Sequence, residues 1–240
     1  MRIIRDEYLW QLTFMPRLFP VNCYLIEEEE SLTLVDAALP YSADGIKRAI
    51  QAIGKPLARI VLTHAHEDHI GALNSLKESF PEAKVCISER DARLLAGDRT
   101  LQADEPQTPI RGSLPKSVQT QPDLLVREGD SIGSLRVIAA PGHTPGSISL
   151  LDQRTGALLA GDAFHTRGGL TVTGHLRLSF PFPALATWNR EAALASAVKL
   201  AEQRPTLLAA GHGEMLRDPA AKLQEAILTA RRRLERESNI

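Results

Sequence analysis

The sequence has little cysteine, almost no net charge and no long apolar run. Cys23 and Cys86 are its two cysteines among 240 residues. They stand far apart, each inside an apolar strand-like run, which predicts two buried free thiols rather than a disulfide framework. Lys and Arg, 28 in all, nearly balance 29 Asp and Glu, for a net charge of −1. No global field therefore favours nucleic acid or an anionic membrane as a partner. No stretch of eighteen apolar residues is present, so no membrane-spanning helix is expected. The first residues, Met1-Arg-Ile-Ile-Arg-Asp-Glu, lack the apolar core of a signal peptide, and a cytoplasmic location is expected. With 43% apolar residues, no internal repeat and no interdomain linker, residues 1–240 are expected to form one α/β domain, monomeric or homodimeric.

What is there centres on Ile60–Gly71, which reads I-V-L-T-H-A-H-E-D-H-I-G. The apolar run Ile60-Val61-Leu62 predicts a short buried strand, and the residues from Gly71 predict a helix that ends before Pro81. His64, His66, Asp68 and His69 thus fall on a tight strand-to-helix loop, where rigid flanks aim several side chains at one point. His64 and His66 are two apart and share a face of an extended segment. Asp68 and His69 follow where the chain curls, so the simplest arrangement is two ions, one on each pair. Neutral imidazole suits zinc, iron and related ions.

Around this stretch the chain alternates strands and helices. Residues 1–14 read as an entry strand, and Phe14–Pro20 reads as a loop with exposed apolar residues, Phe19 among them. Asn22–Glu27 and Leu32–Asp36 read as paired strands across an acidic turn. Asp36 is either a turn residue or a carboxylate that orients a ligand histidine. Ser42–Ile53 has a capping Ser and a closing Gly54 and predicts a helix. Lys84–Ser88 predicts a strand and Glu89–Ala96 a helix. Residues 97–122 hold six Pro and Gly with little periodicity, and a loop this long in a compact domain reads as a lid or a disordered segment. Strand-like runs return at 124–126, 135–139, 148–151 and 157–160, followed by a helix over 187–203, a strand over 206–210 and a helix over 219–237. Arg231, Arg232 and Arg233 read as a solvated face of that last helix.

Three of these later strands end alike, in Pro-Gly-His143, Gly-Asp162 and Gly-His212-Gly. In each, an apolar strand delivers one polar side chain beside a glycine that lets backbone approach closely. Together they supply what a dinuclear site still lacks: one His to complete each ion and a carboxylate to bridge both.

His64-x-His66-x-Asp68-His69, His143, Asp162 and His212 resemble the full ligand set of the metallo-β-lactamase-fold hydrolases, and all seven positions match, from about Leu32 to His212. The resemblance implies a four-layer αβ/βα sandwich, two mixed sheets with helices outside. It places His64, His66 and His143 on one divalent metal and Asp68, His69 and His212 on the other, with Asp162 bridging. Zinc is the expected ion, with manganese and iron as the other choices. Asp36 resembles the family's Asp at the end of an early strand, which supports its role in orienting a ligand. Such a pair of cations activates a water that attacks a carbonyl and stabilises the oxyanion. Asp68 is expected to orient the water and carry a proton to the leaving group.

Departures from the pattern narrow the substrate. Typical β-lactamases of this fold lack a carboxylate like Asp162. Glyoxalase II resembles the Pro141-Gly-His-Thr-Pro-Gly turn but has a His where this chain has Ser147, and a long helical tail where only 28 residues follow His212. Homoserine-lactone lactonases use a Tyr beyond the bridging Asp, whereas Tyr8, Tyr24 and Tyr41 all lie upstream here. Nuclease relatives carry insertions that are not visible. What remains is the broad group of small metal-dependent hydrolases that cleave an ester, thioester or lactone of a small molecule. Phe19, Phe164, His165 and His175 are the candidate pocket residues. Two rival classes are an oxidoreductase resembling the mono-iron persulfide dioxygenases, and a non-catalytic binding protein stabilised by metal.

Overall fold

The computed structural model describes residues 1–115 and 118–238. The chain folds as two compact units: Met1–Asp98 with Ser113–Val126, and Arg99–Gly112 with the residues from Arg127 onward.

The first unit is built on one seven-stranded sheet in sequence order. Its strands are β1 (Arg2–Asp6), β2 (Leu9–Phe14), β3 (Val21–Glu27), β4 (Leu32–Val35), β5 (Leu57–Val61), β6 (Lys84–Ser88) and β7 (Leu124–Val126). The first four pair antiparallel, and β4 through β7 pair parallel, so the sheet is mixed. Residues 1–14, expected as one strand, form a hairpin instead, because Glu7 takes a left-handed turn (φ 50°) between Asp6 and Leu9. Parallel neighbours need crossovers. These are α1 (Ala43–Ile53), α2 (Glu67–Ile70) with α3 (Leu73–Ser79), and α4 (Glu89–Leu95). Helix α1 buries Ile46, Ala49 and Ile50 and stops at left-handed Gly54, whose N–H bonds the Ile50 carbonyl. Ser42 precedes that helix, but its hydroxyl accepts from the Leu39 N–H rather than capping the helix itself. Cys23 and Cys86 are buried free thiols, and burial raises the pKa of both, Cys86 to about 11.

The second unit carries a six-stranded sheet of order β15-β14-β11-β10-β9-β8 and a small two-stranded sheet, β12-β13. The strands are β8 (Ser131–Ile132), β9 (Leu135–Ala139), β10 (Ile148–Asp152), β11 (Ala157–Gly161), β12 (Phe164–His165), β13 (Thr171–Val172), β14 (Leu207–Ala210) and β15 (Leu216–Arg217). Helices α5 (Phe182–Ala186), α6 (Arg190–Ala201) and α7 (Ala220–Ser238) complete it. Ala197 and Leu200 of α6 and Leu223, Ala226 and Ile227 of α7 pack against Ile138, Leu158 and Leu208 of the sheet in one apolar core. The helix expected from Thr187 starts at Arg190, because the Asn189 side chain caps it by accepting from the Ala192 N–H at 2.8 Å. Four two-residue strands and α5 escape sequence reading, being shorter than any periodic pattern. No helix among the described residues is long and apolar enough to cross a membrane.

Strand direction positions the polar residues. In the first unit Asp36 follows β4, the His64–His69 stretch follows β5 and Asp91 follows β6, at the carboxyl ends of three adjacent parallel strands. In the second, β9 and β11 both run antiparallel to β10, and β14 runs parallel to β11. Strands β9, β11 and β14 therefore point the same way and deliver His143, Asp162 and His212 at one sheet edge. The carboxyl edge of parallel strands is where α/β sheets bind ligands.

The turn before His143 depends on a missing side chain. Gly142 has φ +142°, and a Cβ there would lie 2.4 Å from the Ala193 backbone of α6. Gly142→Ala is expected to destabilise the protein by about 1–3 kcal/mol or more through overpacking and strain. Urea unfolding that leaves the midpoint unchanged would show that α6 yields freely at this contact.

Candidate metal centre

In the first unit the donors leave β5 in an extended segment, His64 to His66, and turn into α2 at Glu67. His64 and His69 are fully buried and His66 nearly so, while the Asp68 side chain keeps 24% of its surface exposed. The donor atoms of His64 lie within 4.8 Å of those of His66 and of His69. Asp68 Oδ2 lies 3.8 Å from His69 Nε2.

Asp36 organises this cluster. Its backbone is left-handed, φ 61°, which Asp adopts more readily than most residues. That twist turns the carboxylate toward the neighbouring strand end. Oδ1 accepts the Thr63 N–H at 2.8 Å, and Oδ2 accepts the Thr63 hydroxyl and His69 Nδ1–H, both at 2.8 Å. Thr63 has spent its one hydroxyl proton on Asp36, so its oxygen accepts from His64 Nδ1–H at 3.0 Å. Both imidazoles therefore carry their proton on Nδ1 when neutral, and Nε2 presents the lone pair. This is the arrangement of ligating histidines, whose second nitrogen donates to a carboxylate or another acceptor. Asp91, fully buried in the first turn of α4, holds the loop from the other side by accepting the Ala65 N–H at 2.9 Å.

In the second unit Asp162 Oδ2 lies 3.4 Å from His143 Nε2 and 3.1 Å from His212 Nε2. All three residues are buried. The Gly211 N–H bonds the Gly161 carbonyl at 2.8 Å and so ties the strand ends that carry His212 and Asp162. His143 Nδ1 meets two hydroxyls, Thr173 and Thr187, each at 3.1 Å. Each unit thus gathers buried imidazole and carboxylate donors whose chemistry fits divalent cations.

The four candidate pocket residues fare differently. Phe164 is fully buried in the apolar core with Ile138, Leu158 and Val172, and packing accounts for it without a substrate. Phe19 is half-buried in the turn after β2. His165 packs against Phe180 at 5.7 Å, and burial lowers its pKa to about 4. His175, lowered to about 4 by burial and by Arg190 and Arg233, lines a cavity of about 760 Å³ with Arg177, Met215 and Arg233. None of the seven donors lines that cavity.

The described residues of the segment 97–122 are held by side chains rather than by regular structure. Ser113 accepts the Glu67 N–H with its carbonyl and meets the Glu67 carboxylate with its hydroxyl, beside two donors. Asn74 Oδ1 accepts from Gln119 N–H, Thr120 N–H and the Thr120 hydroxyl at 2.8–3.1 Å. In the second unit the Trp188 indole donates to the Thr108 carbonyl at 2.8 Å. Lys116 and Ser117 lie outside the described residues.

Sequence reasoning missed Thr63, Asp91, Thr173 and Thr187. Thr63 carried a usable signal, a hydroxyl adjacent to the first donor. Thr173 and Thr187 stand 30 and 44 residues from His143 and carried none.

The model of the metallo-beta-lactamase superfamily matches residues 16–212. The chain is 56% identical over 232 residues to the uncharacterized protein YobT of Bacillus subtilis (strain 168), across 97% of this chain and all of YobT. It is 32% identical over 213 residues to YflN of the same organism, a probable metallo-hydrolase, across 80% of each. Among solved structures, the di-iron-bound form of TTHA1623 superposes with a TM-score of 0.63 at 26% identity, covering 88% of this chain and 95% of that one. With the family match spanning most of the sequence, from the turn after β2 to the last of the seven donors, the chain belongs to the metallo-β-lactamase superfamily and has its α/β fold of mixed sheets and helices.

Proposed function

We propose that this protein is a dinuclear metal-dependent hydrolase that cleaves an ester, thioester or lactone of a small molecule. In this reading His64, His66 and His143 hold one divalent ion, and Asp68, His69 and His212 hold the other. The observation that carries it is the position of one Asp162 oxygen, within 3.4 Å of Nε2 on two imidazoles, His143 and His212, that this reading assigns to different ions. A carboxylate oxygen shared between the two imidazoles supports assigning Asp162 to both ions. Zinc is the expected ion, and iron and manganese suit the same donors. The di-iron form of TTHA1623 supports double occupancy.

When bound, the two cations lower the pKa of water toward neutrality and polarise a substrate carbonyl. The remaining work falls to the chain. Asp36 and Thr63 fix the tautomers of His69 and His64, and Asp91 pins the backbone between His64 and His66. Asp68 is the most exposed of the seven donors and sits where the buried cluster meets solvent. Its carboxylate orients the attacking water, takes a proton from it and returns that proton to the leaving oxygen, sulfur or nitrogen. The products are an acid and an alcohol, thiol or amine.

Elemental analysis of protein loaded with zinc is expected to approach two ions per chain. Saturation at one, with Asp68 and His69 unliganded in a crystal structure, would contradict the dinuclear assignment. Asp68→Asn is expected to lower turnover at least about a hundredfold on a panel of esters, thioesters and lactones, with the fold intact. Normal turnover at normal metal content would remove Asp68 from the mechanism. We also assign the segment 97–122 a role in choosing substrate, since Ser113 grips Glu67 between His66 and Asp68. Shortening the chain between Leu101 and Gln107 is expected to change the ratio of kcat/KM between large and small esters at constant metal content. Unchanged specificity constants across the panel would confine the pocket to other loops.

A further inference from the structure

The Thr187 hydroxyl has one proton and three neighbours. It donates to the Pro183 carbonyl at 2.6 Å, which spends that proton. Thr173 lies 2.9 Å from Thr187, oxygen to oxygen, so in that contact Thr173 must be the donor. Neither hydroxyl then has a proton left for His143, although both oxygens lie 3.1 Å from its Nδ1. Both can only accept, and Nδ1 must supply the proton. All three side chains are buried, so solvent does not set this order.

We infer that Thr187 is the positioning residue that fixes the tautomer of His143, holding the proton on Nδ1 so that Nε2 offers its lone pair as a donor. The inference rests on His143 being a metal ligand, as proposed above. Its direction comes from the Pro183 carbonyl, which acts through Thr187. The mount is rigid because the same loop grips the donor's backbone: Trp188 N–H bonds the His143 carbonyl at 3.0 Å, and Asn189 N–H bonds the Gly142 carbonyl at 2.9 Å. Those two bonds involve no side chain of Thr187 and survive its replacement.

The proton count makes the two threonines unequal. Without the Thr187 hydroxyl, Thr173 recovers a free proton that can be donated to Nδ1, which favours the opposite tautomer. Without the Thr173 hydroxyl, Thr187 still donates to Pro183 and still accepts from Nδ1. A merely structural role for the pair predicts no such asymmetry.

The test reads tautomers by nitrogen-15 imidazole spectra of metal-free protein at a pH where the rings are neutral. It then reads zinc affinity by competition with a chromogenic chelator. Wild type and Thr173→Val are expected to show His143 protonated on Nδ1. Thr187→Val is expected to shift His143 toward protonation on Nε2 and to weaken one zinc site by roughly 10–100-fold. Thr187→Ser, which restores the hydroxyl, should return both readouts to wild type. Thr187→Ala removes the same hydroxyl without added bulk and serves if the Val variant does not fold. The inference is overturned if wild-type His143 carries its proton on Nε2, or if loss of either hydroxyl gives the same spectrum and affinity. Should wild type bind no zinc at all, the metal assignment fails, and the tautomer spectra still decide the role of Thr187.

Discussion

The buried carboxylate of Asp36 is the constraint on which the first donor cluster depends. It is 2% exposed and meets three donors at 2.8 Å from two residues, Thr63 and His69. A carboxylate taken out of water must be satisfied by neighbouring hydrogen-bond donors, and losing one such bond costs about 1–3 kcal/mol. Satisfying this one group therefore fixes three other things. It holds the β5 strand end beside that of β4, it sets the Thr63 hydroxyl, and through both it commits the Nδ1 protons of His69 and His64. The left-handed backbone at Asp36 is the local strain that this network supports.

The second unit reaches the same end by a different device. There, among the described residues, no carboxylate meets the imidazole Nδ1, hydroxyls receive its proton, and their order is imposed by a backbone carbonyl at Pro183 rather than by Asp36. A hydroxyl is ambivalent, donor or acceptor, so it specifies a tautomer only when something else consumes its proton. A carboxylate accepts unconditionally. Asp36 thus serves two histidines at once, whereas His143 needs Thr187, with its proton taken up by the Pro183 carbonyl, and a fixed loop. Strand direction makes the first device local, since Asp36 and Thr63 follow the paired parallel strands β4 and β5. Residues leaving adjacent strands at the same sheet edge start within one strand spacing of each other, and a few side-chain bonds suffice to finish the placement.

The donors were legible because metal binding demands particular residue types at short spacing. His64-x-His66-x-Asp68-His69 concentrates four donors in six residues, and each later donor follows an apolar run and a glycine. Elements long enough to show a period were legible too, such as β6, β9 and α1. The hairpin of β1 and β2 was not, since it turns on a left-handed Glu7 rather than on glycine. Phe164 and His175 show a second limit of sequence reading. Position after Asp162 suggested a pocket, but position in sequence does not reveal which way a side chain faces. Phe164 turned into the core, and His175 toward a cavity that none of the seven donors lines. The supporting hydroxyls were invisible for a deeper reason. Threonine is common, and its role at 173 or 187 exists only after folding brings it to His143.

The segment 97–122 shows what side-chain hydrogen bonds do where periodicity is absent. Its described residues form no regular element before β7, yet Leu114 is 2% exposed and Ser113, Thr108 and Thr120 are each fastened by named partners. Those partners are not scattered. Glu67 lies between His66 and Asp68, Asn74 stands in the helix that follows the donor loop, and Trp188 adjoins Thr187, which meets His143. Each anchor is therefore within a few residues of a donor or of its support. A loop that paid only its own ordering entropy would gain nothing from such anchors in particular. Within each unit the segment is instead fastened to residues that stand next to a candidate donor or its support, so the loops that hold those side chains also order the segment.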